Sequence, residues 1–328
     1  METLLLLVAS VAAVFLSSLL FVNAIEYASH VMKWSHSFTG AIVAPLFTSI
    51  PESIIFIVAV FIRRGVSGSE IGLGLIFGEP FMISSIAYFL IFVSILISAF
   101  AAGRRLTGMP VERALRIPFL FVLLLFPLTL LPGIFHSVLL RYATGAFFLV
   151  LYVVYVNSVR KQGSFEPSGE PDRPYFKMFG KSDGLVLLQL ALSAVLLYFG
   201  AELMVSAISA ISAASGISAL AVSILIIPLA TAIPETLSAM VWAFRGKNSL
   251  AIGSVVGEKV LYATFYPGVA MFLVPWNLDI QVYVSVFATT AVSLAMFAFI
   301  RKGRMSPYAL LAGLPFFAFF VFTLLTIL

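Results

Sequence analysis

The chain has 328 residues, of which 62% are hydrophobic and 10% are charged, and its mean hydropathy is +1.12. This composition excludes a soluble globular domain, which needs a larger polar surface. The net charge of +5 does not indicate nucleic-acid binding, because most basic residues lie in short loops between apolar segments. The absence of cysteine excludes disulfides, thiolate metal sites and thiol nucleophiles.

Apolar segments of roughly 20 residues recur along the chain, each long enough to cross a hydrocarbon layer about 30 Å thick. We therefore predict an all-α membrane protein with ten transmembrane helices. The first apolar segment is not preceded by Lys or Arg, as the apolar part of a signal peptide would be. We therefore expect the segment to be retained. The ten predicted segments are about 3–25, 38–62, 72–102, 117–133, 137–158, 184–211, 217–244, 249–274, 279–300 and 307–327.

A polar stretch divides these segments into five plus five. The predicted organisation is a first five-helix repeat (1–158), a linker (159–183) and a second five-helix repeat (184–328), together forming one membrane domain. Fifteen Lys and Arg residues lie on the linker side and three on the other. We therefore predict a cytoplasmic linker, both termini outside, and a location in the plasma (cytoplasmic) membrane. Five segments per half give the two halves opposite orientations, as in transporters with inverted repeats.

Two short motifs occur once in each half. Residues 45–52 read PLFTSIPE and residues 228–235 read PLATAIPE, with six of eight positions identical. A second pair follows, with GLIFGE at 74–79 and GSVVGE at 253–258. Matching interruptions in the two halves of a membrane protein indicate a binding site near the bilayer midplane.

The first motif places a glutamate directly after a proline in each half. We expect the prolines to break the helical hydrogen-bond ladder and to free carbonyl oxygens, which irregular membrane helices tolerate where they line a cavity. Hard cations bind carboxylate, hydroxyl and carbonyl oxygens. One such motif alone would suit a structural kink equally well, but the matched pair favours cation binding. The residues concerned are Glu52 and Glu235, with Thr48, Ser49 and Thr231 between the prolines.

The second motif adds Glu79 and Glu258, which we expect to face the same cavity and to tune proton coupling, because neighbouring carboxylates titrate as a coupled set. Four glutamates at membrane depth are costly unless they function. Lys259 is the one basic residue well inside a predicted segment. It either tunes the charge of the site, reaching toward Glu235, Glu202 or another core helix, or forms a structural salt bridge.

At these residues the chain resembles the cation/calcium antiporter superfamily, whose best-known branch is the sodium/calcium exchangers. Its members have two inverted five-helix repeats, each with a Gly-Thr-Ser-Leu-Pro-Glu motif and, one helix later, a Gly-Asn-x-x-Gly-Ser-Asn motif. Residues 48–52 and 231–235 are similar to the first motif, and 74–80 and 253–259 to the second. The resemblance implies that Glu52 and Glu235 are the central metal ligands for calcium. It also implies that the hydroxyls and carbonyls of Thr48, Ser49 and Thr231 bind calcium or sodium.

The chain departs from the family pattern in ways that bear on the ion. The second motif's Ser becomes Glu79 and Glu258, and its Asn becomes Pro80 and Lys259. Neutral ligands of the sodium type are thus lost and carboxylates are gained. These changes favour a proton-coupled or divalent-selective exchanger over the usual family type.

The sequence therefore predicts a secondary active antiporter that exchanges a cation, with Ca²⁺ the leading candidate, for Na⁺ or H⁺ by alternating access. Its partners would be the lipid bilayer and small inorganic cations, with no cofactor, no nucleic acid and no protein partner indicated. Two alternatives stay open. One is a degenerate relative that binds an ion without transporting it, as a sensor or scaffold. The other is an intramembrane carboxylate enzyme, although no nucleophile–base pair or substrate-activating residue accompanies the glutamates.

Overall fold

The computed structural model describes residues 2–31, 49–161, 173–180 and 182–326, and this part of the chain is almost entirely helical. The α-helices, in chain order, are α1 (Glu2–Val31), α2 (Ile50–Ile57), α3 (Gly65–Met82), α4 (Tyr88–Ala101), α5 (Arg116–Leu125), α6 (Leu131–Phe135), α7 (Val138–Lys161), α8 (Gly184–Ser215), α9 (Ala219–Phe244), α10 (Asn248–Ala263), α11 (Phe265–Leu273), α12 (Ile280–Arg301) and α13 (Leu314–Leu325).

Shorter elements connect or extend these helices. Two stretches are π-helical: Val58–Arg63 extends α2, and Ile83–Ala87 joins α3 to α4. Two short strands pair antiparallel, β1 (Met109–Pro110) with β2 (Arg304–Met305). The 3₁₀ helices are Arg113–Leu115, Pro127–Leu130, Tyr175–Phe179 and Pro307–Leu311.

Seven helical stretches in the described part of the chain are long and apolar enough to cross a membrane. The prediction of an all-α membrane protein is therefore confirmed. The count of ten is not confirmed, because residues 38–48 of the second predicted segment lie outside the described residues, and α10 and α11 are only 16 and 9 residues long. The seven stretches are Thr3–Ile25, Gly65–Ala101, Arg113–Phe135, Val138–Ser158, Gly184–Ser215, Ile280–Arg301 and Pro307–Leu325.

The described chain forms two compact units. Unit 1 comprises Met1–Leu75 and Gly163–Glu235, and unit 2 comprises Ile76–Gln162 and Thr236–Leu328. Each unit takes helices from both halves of the sequence. The predicted division at residues 158 and 184 follows the motif repeat rather than compactness, and it stays a prediction.

Unit 1 is organised by α1 and α8, which pack along one another, while α8 also contacts α2. Part of the predicted linker is fixed against this pair. The backbone N–H of Tyr175 donates to Asn23 Oδ1 of α1 (3.0 Å), and that of Phe176 donates to Gln189 Oε1 of α8 (2.9 Å). Because Gln189 is fully buried, these bonds hold a linker segment on the helix pair.

Unit 2 packs α5 against α10 and α12, and α7 against α11. The last contact requires glycine, since a Cβ on Gly145 would lie 3.0 Å from the carbonyl oxygen of Gly268. The hydroxyls of Ser94 and Ser98 in α4 donate to the carbonyls of Met240 (2.5 Å) and Phe244 (2.7 Å) at the end of α9. The glutamate-bearing helices of unit 2 are thus held in a closely packed frame.

Candidate cation site

The first motif of the first half lies at the start of α2. Pro51 occupies the first turn, where a missing N–H costs no hydrogen bond, and Glu52 follows it. The Glu52 side chain is fully buried. The N-terminal end of a helix carries a partial positive charge that stabilises a carboxylate. The sequence therefore places a buried carboxylate at the positive end of a helix.

Hydrogen bonds are present at both ends of α2. Ser49, also buried, precedes the helix, and its carbonyl accepts hydrogen bonds from the N–H and the hydroxyl of Ser53 in the first turn, both at 3.0 Å. At the other end, the guanidinium of Arg63 donates to the Ser206 hydroxyl and to the Glu202 carbonyl of α8. The predicted ligand Ser49 thus stands three residues before Glu52, and both side chains are buried. Thr48 lies outside the described residues.

The corresponding motif of the second half lies within α9. Thr231 is buried, and its hydroxyl donates to the carbonyl of Ile227 (3.1 Å). The expected break is not found, because α9 is continuous through Pro228 and Pro234. Each proline removes only one backbone hydrogen bond, and a long apolar helix tolerates this loss. Glu235 is a helical residue of α9 in unit 1, but its side chain lies outside the described residues.

The second-motif glutamates both lie in unit 2. Glu79 is fully buried near the end of α3, and Pro80 follows it inside the helix. Pro80 has no N–H for the carbonyl four residues earlier. The neighbouring carbonyl of Phe77 accepts a hydrogen bond from the Ser285 hydroxyl of α12 (2.7 Å). Beyond Pro80 the chain becomes π-helical, a deviation that frequently marks functional sites.

Glu258 is 6% exposed in α10, and Lys259 next to it is fully buried. The Lys259 Nζ donates to Ser293 Oγ of α12 (2.7 Å). It also lies 5.2 Å from the ring centroid of Tyr88 and 5.9 Å from that of Phe119, within the range of cation–π attraction.

Among the side chains that the structure describes, no carboxylate pairs with Lys259. The expected reach toward Glu202 and the structural salt bridge are therefore not found there, and Glu235 is not described. A hydroxyl and two aromatic faces surround the amine instead. The sequence reasoning missed Ser293 as its partner. The signal that could have found it is a series of polar residues at every fourth position of the apolar segment 279–300.

The two units thus divide the predicted site residues. Unit 1 contains Ser49, Glu52, Thr231 and Glu235, and unit 2 contains Glu79, Glu258 and Lys259. Within the described residues, no three His, Asp or Glu side chains form a group that could hold a metal ion by themselves.

A comparison with known families decides the relationship. The family described as sodium/calcium exchanger protein matches residues 2–159 and 185–328, which is nearly the whole chain and both of its halves. The chain belongs to this family. The unmatched stretch between the two matched ranges coincides with the predicted linker, and the resemblance to cation/calcium antiporters is confirmed.

One curated relative of the exchanger family is the putative antiporter CaxA of Alkalimonas amylolytica, 25% identical over 174 residues. The match covers 50% of this chain and 53% of CaxA, so it spans about half the length of each.

Three solved structures share the fold over almost the entire chain. The H⁺/Ca²⁺ exchanger CAX has a TM-score of 0.72 at 17% identity, with 98% of this chain and 82% of CAX covered. YfkE has a TM-score of 0.68 at 16% identity, with 98% and 91% covered. The sodium-calcium exchanger NCX_Mj has a TM-score of 0.57 at 18% identity, with 97% and 98% covered. At these identities the likeness shows a common fold.

Proposed function

We propose that this member of the sodium/calcium exchanger family is a secondary active antiporter that exchanges Ca²⁺ for Na⁺ or H⁺. The observation that carries the proposal is Glu52, a fully buried carboxylate at the start of a helix in a membrane protein. Ionisable residues at membrane depth are costly, and they commonly mark sites that bind cations or protons. The similarity to CaxA, a putative antiporter, and to the calcium exchangers CAX and NCX_Mj supports the same activity.

In the proposed site, Glu52 and Glu235 of unit 1 bind the calcium ion. Dehydrating a divalent ion is offset only by several oxygen ligands with negative charge. Two carboxylates supply that charge, and oxygens of Thr48, Ser49 and Thr231 complete the ligand set. Access to the ion alternates between the two faces of the membrane, and the ions are substrates rather than cofactors.

Glu79 and Glu258 of unit 2 provide the proton coupling in this proposal. Both are buried, and both stand where the family pattern has a neutral residue. A carboxyl group can release its proton when a metal cation binds and take the proton up again when the cation leaves, whereas a serine hydroxyl cannot. These two residues favour H⁺ over Na⁺ as the coupling ion.

We further propose ten transmembrane helices in two inverted five-helix repeats, with both termini outside, a cytoplasmic linker and a location in the plasma membrane. Two glycine contacts in unit 2 support the repeat. Gly145 in the fifth predicted segment packs on Gly268, ten residues beyond Glu258, and Gly313 in the tenth packs on the Ser84 carbonyl, five residues beyond Glu79. The last segment of each half thus packs on the stretch that follows the second motif of the other half.

Calcium flux into proteoliposomes tests the activity. Purified protein is reconstituted, radioactive calcium is supplied outside, and a Na⁺ or H⁺ gradient is imposed. We expect calcium uptake that depends on one of the gradients and stops when an ionophore dissipates it. Calcium binding without gradient-driven uptake would instead indicate a sensor or scaffold. Lack of binding of any cation would revive the carboxylate enzyme.

A further inference from the structure

Most serine and threonine side chains in the described helices bond to their own helix. Thr264 donates to the Val260 carbonyl (2.6 Å), Ser206 to that of Glu202 (2.7 Å) and Thr290 to that of Val286 (2.6 Å). This bond to the carbonyl four residues earlier satisfies a hydroxyl inside an apolar helix. Helix α12 contains three hydroxyls that depart from the pattern.

These hydroxyls belong to a polar stripe on one face of α12. Gln281, Ser285, Thr289 and Ser293 follow one another at every fourth position, which aligns them along the helix. Ser285, Thr289 and Ser293 are fully buried, and Gln281 is 6% exposed. At 1.5 Å per residue the stripe is about 18 Å long, more than half of the hydrocarbon thickness. It stops at Ser293, because the next position on this face is Phe297.

Each hydroxyl of the stripe points away from the backbone of α12. Ser285 donates to the Phe77 carbonyl of α3, and Ser293 accepts from the Lys259 Nζ of α10, both at 2.7 Å. The Thr289 hydroxyl between them is buried and has no hydrogen-bond partner among the residues that the structure describes. Hydrogen bonding between packed helices explains why a hydroxyl is buried at Ser285, but it does not explain the buried hydroxyl of Thr289.

The end of the stripe at Ser293 also has polar groups whose hydrogen-bonding capacity is unused. A lysine ammonium has three donors, and the described residues accept only one hydrogen bond from Lys259, through Ser293. The hydroxyl of Tyr88, whose ring faces Lys259, is buried and bonds to none of the described groups. Buried water typically bridges two to four such polar groups. The chemistry that fits Thr289, Tyr88 and Lys259 is therefore that of water.

We propose that the polar stripe of α12 is a water path that fills during the transport cycle and leads from Gln281 to the Lys259 amine. It gives water, and protons carried by water, a route into unit 2. The path is open toward one membrane face only, because it ends at Lys259 and Phe297.

Thiol accessibility tests the path directly, since the chain has no cysteine of its own. Thr289→Cys and Ser293→Cys each introduce a single thiol into the full-length protein in proteoliposomes. The matched control is Ala291→Cys, midway in depth between the two thiols, half-buried and on another side of the helix. A small charged methanethiosulfonate reagent is added to one face at a time during imposed gradients.

We expect the two stripe thiols to react from one face about tenfold faster than the control, because the reagent attacks the thiolate, which forms only in contact with water. Equal rates at all three positions, or reaction from both faces, would overturn the path.

Paired threonines supply the functional readout, which rests on the proposed antiport. Thr289→Val removes the unpartnered hydroxyl while keeping the shape, and Thr290→Val removes a hydroxyl bonded within its own helix. We expect Thr289→Val to slow H⁺-driven calcium uptake several-fold with calcium affinity unchanged, and Thr290→Val to match the parent. Equal uptake in the two variants would count against proton supply by this path. Accessible stripe thiols in a protein without uptake would overturn the antiporter and leave the path intact.

Discussion

Two stretches of unit 2 follow a second-motif glutamate, and they differ in how the helix continues. After Glu79 comes Pro80, and α3 passes through a π-helical stretch into α4 without stopping. After Glu258 comes Lys259, and α10 ends at Ala263 before α11 begins. Both helices therefore lose their regularity about one turn beyond the glutamate, although only one of the stretches contains a proline.

A hydroxyl side chain stands at the same spacing beyond each of the two glutamates. Ser85 stands six residues after Glu79, and Thr264 stands six residues after Glu258. Each donates to the carbonyl four residues earlier, at 2.7 and 2.6 Å respectively. Such bonds weaken and bend a helix. The comparison teaches that the break beyond the motif does not require proline, and that the residue after the glutamate is free to take another role.

Helix α12 also contacts a residue close to each glutamate. Ser285 donates to the carbonyl of Phe77, two residues before Glu79, and Ser293 accepts from the amine of Lys259, the residue after Glu258. The carbonyl that Pro80 leaves without an N–H is that of Ile76, and Ser285 bonds to the next carbonyl along α3. Ser293 gives the buried Lys259 amine its acceptor. One helix thus bonds to a neighbour of each second-motif glutamate.

Within this comparison of the two stretches, the largest functional effect is expected when both lose their carboxylates. Glu79→Ser combined with Glu258→Ser restores the neutral residue of the family pattern at both positions. We expect the pH dependence of calcium uptake to flatten and the ion preference to move toward sodium, because the proton-binding groups are gone. Uptake measured across a pH series with each gradient tests this. An unchanged pH profile and ion preference would remove these glutamates from the coupling mechanism.

The packing around the first stretch gives the largest expected effect on stability. A Cβ on Gly313 would lie 2.0 Å from the Ser84 carbonyl oxygen, so Gly313→Ala forces the π-helical stretch to move. We expect the free energy of unfolding to fall by about 3 kcal/mol, the upper end for an overpacked site. Gly108→Ala is the control, since its Cβ would meet nothing closer than 3.8 Å. Thermal unfolding in detergent that affects both variants equally would contradict the packing account.

The second stretch predicts a coupling between Lys259 and Ser293. Ser293→Ala leaves the buried amine without its acceptor, which costs about 1–3 kcal/mol. Lys259→Met should be neutral or stabilising, because it replaces a buried charge by an apolar group of similar length. In the Lys259→Met background, Ser293→Ala should leave the free energy of unfolding almost unchanged. A double-mutant cycle by thermal unfolding measures this coupling, and strong destabilisation by Lys259→Met would show that a salt bridge exists after all.

The smallest effect is expected at the hydroxyls of Ser85 and Thr264. Ser85→Ala and Thr264→Val each remove one bond to a carbonyl of the same helix, so the stability should change by about 1 kcal/mol or less. Similar changes in the two variants would support a common role in the two breaks. A change of several kcal/mol in only one of them would show that the two breaks are maintained differently. Thermal unfolding of both proteins under one set of conditions provides the comparison.

Local patterns predicted much of this molecule. Long apolar runs fixed the helical class, and the paired motifs pointed to Glu52 and Glu79, which are indeed buried. Both inferences depend on residues close together in sequence, where composition and spacing determine the outcome.

Of the two main misses, one is local and one depends on contacts between distant segments. The prolines of α9 were expected to break it, but α9 is continuous. Lys259 was expected to reach Glu235, Glu202 or another core helix, or to form a salt bridge, and in the described residues its hydrogen-bond partner is Ser293, 34 positions away. Sequence spacing reveals which residues share a helix face, but not which neighbouring helix that face meets. The stripe on α12 was therefore readable as a pattern, and its partners were not.

The central claim is that the buried first-motif carboxylates bind the transported calcium, and one measurement tests it most directly. Gradient-driven calcium uptake is compared between the parent, Glu52→Gln, Glu235→Gln and the control Glu112→Gln, an exposed glutamate outside the motifs. We expect both motif variants to be folded by size-exclusion chromatography and to have lost uptake, because one carboxylate cannot offset the dehydration of a divalent ion. The control should transport like the parent. Parental uptake in either motif variant would contradict the claim.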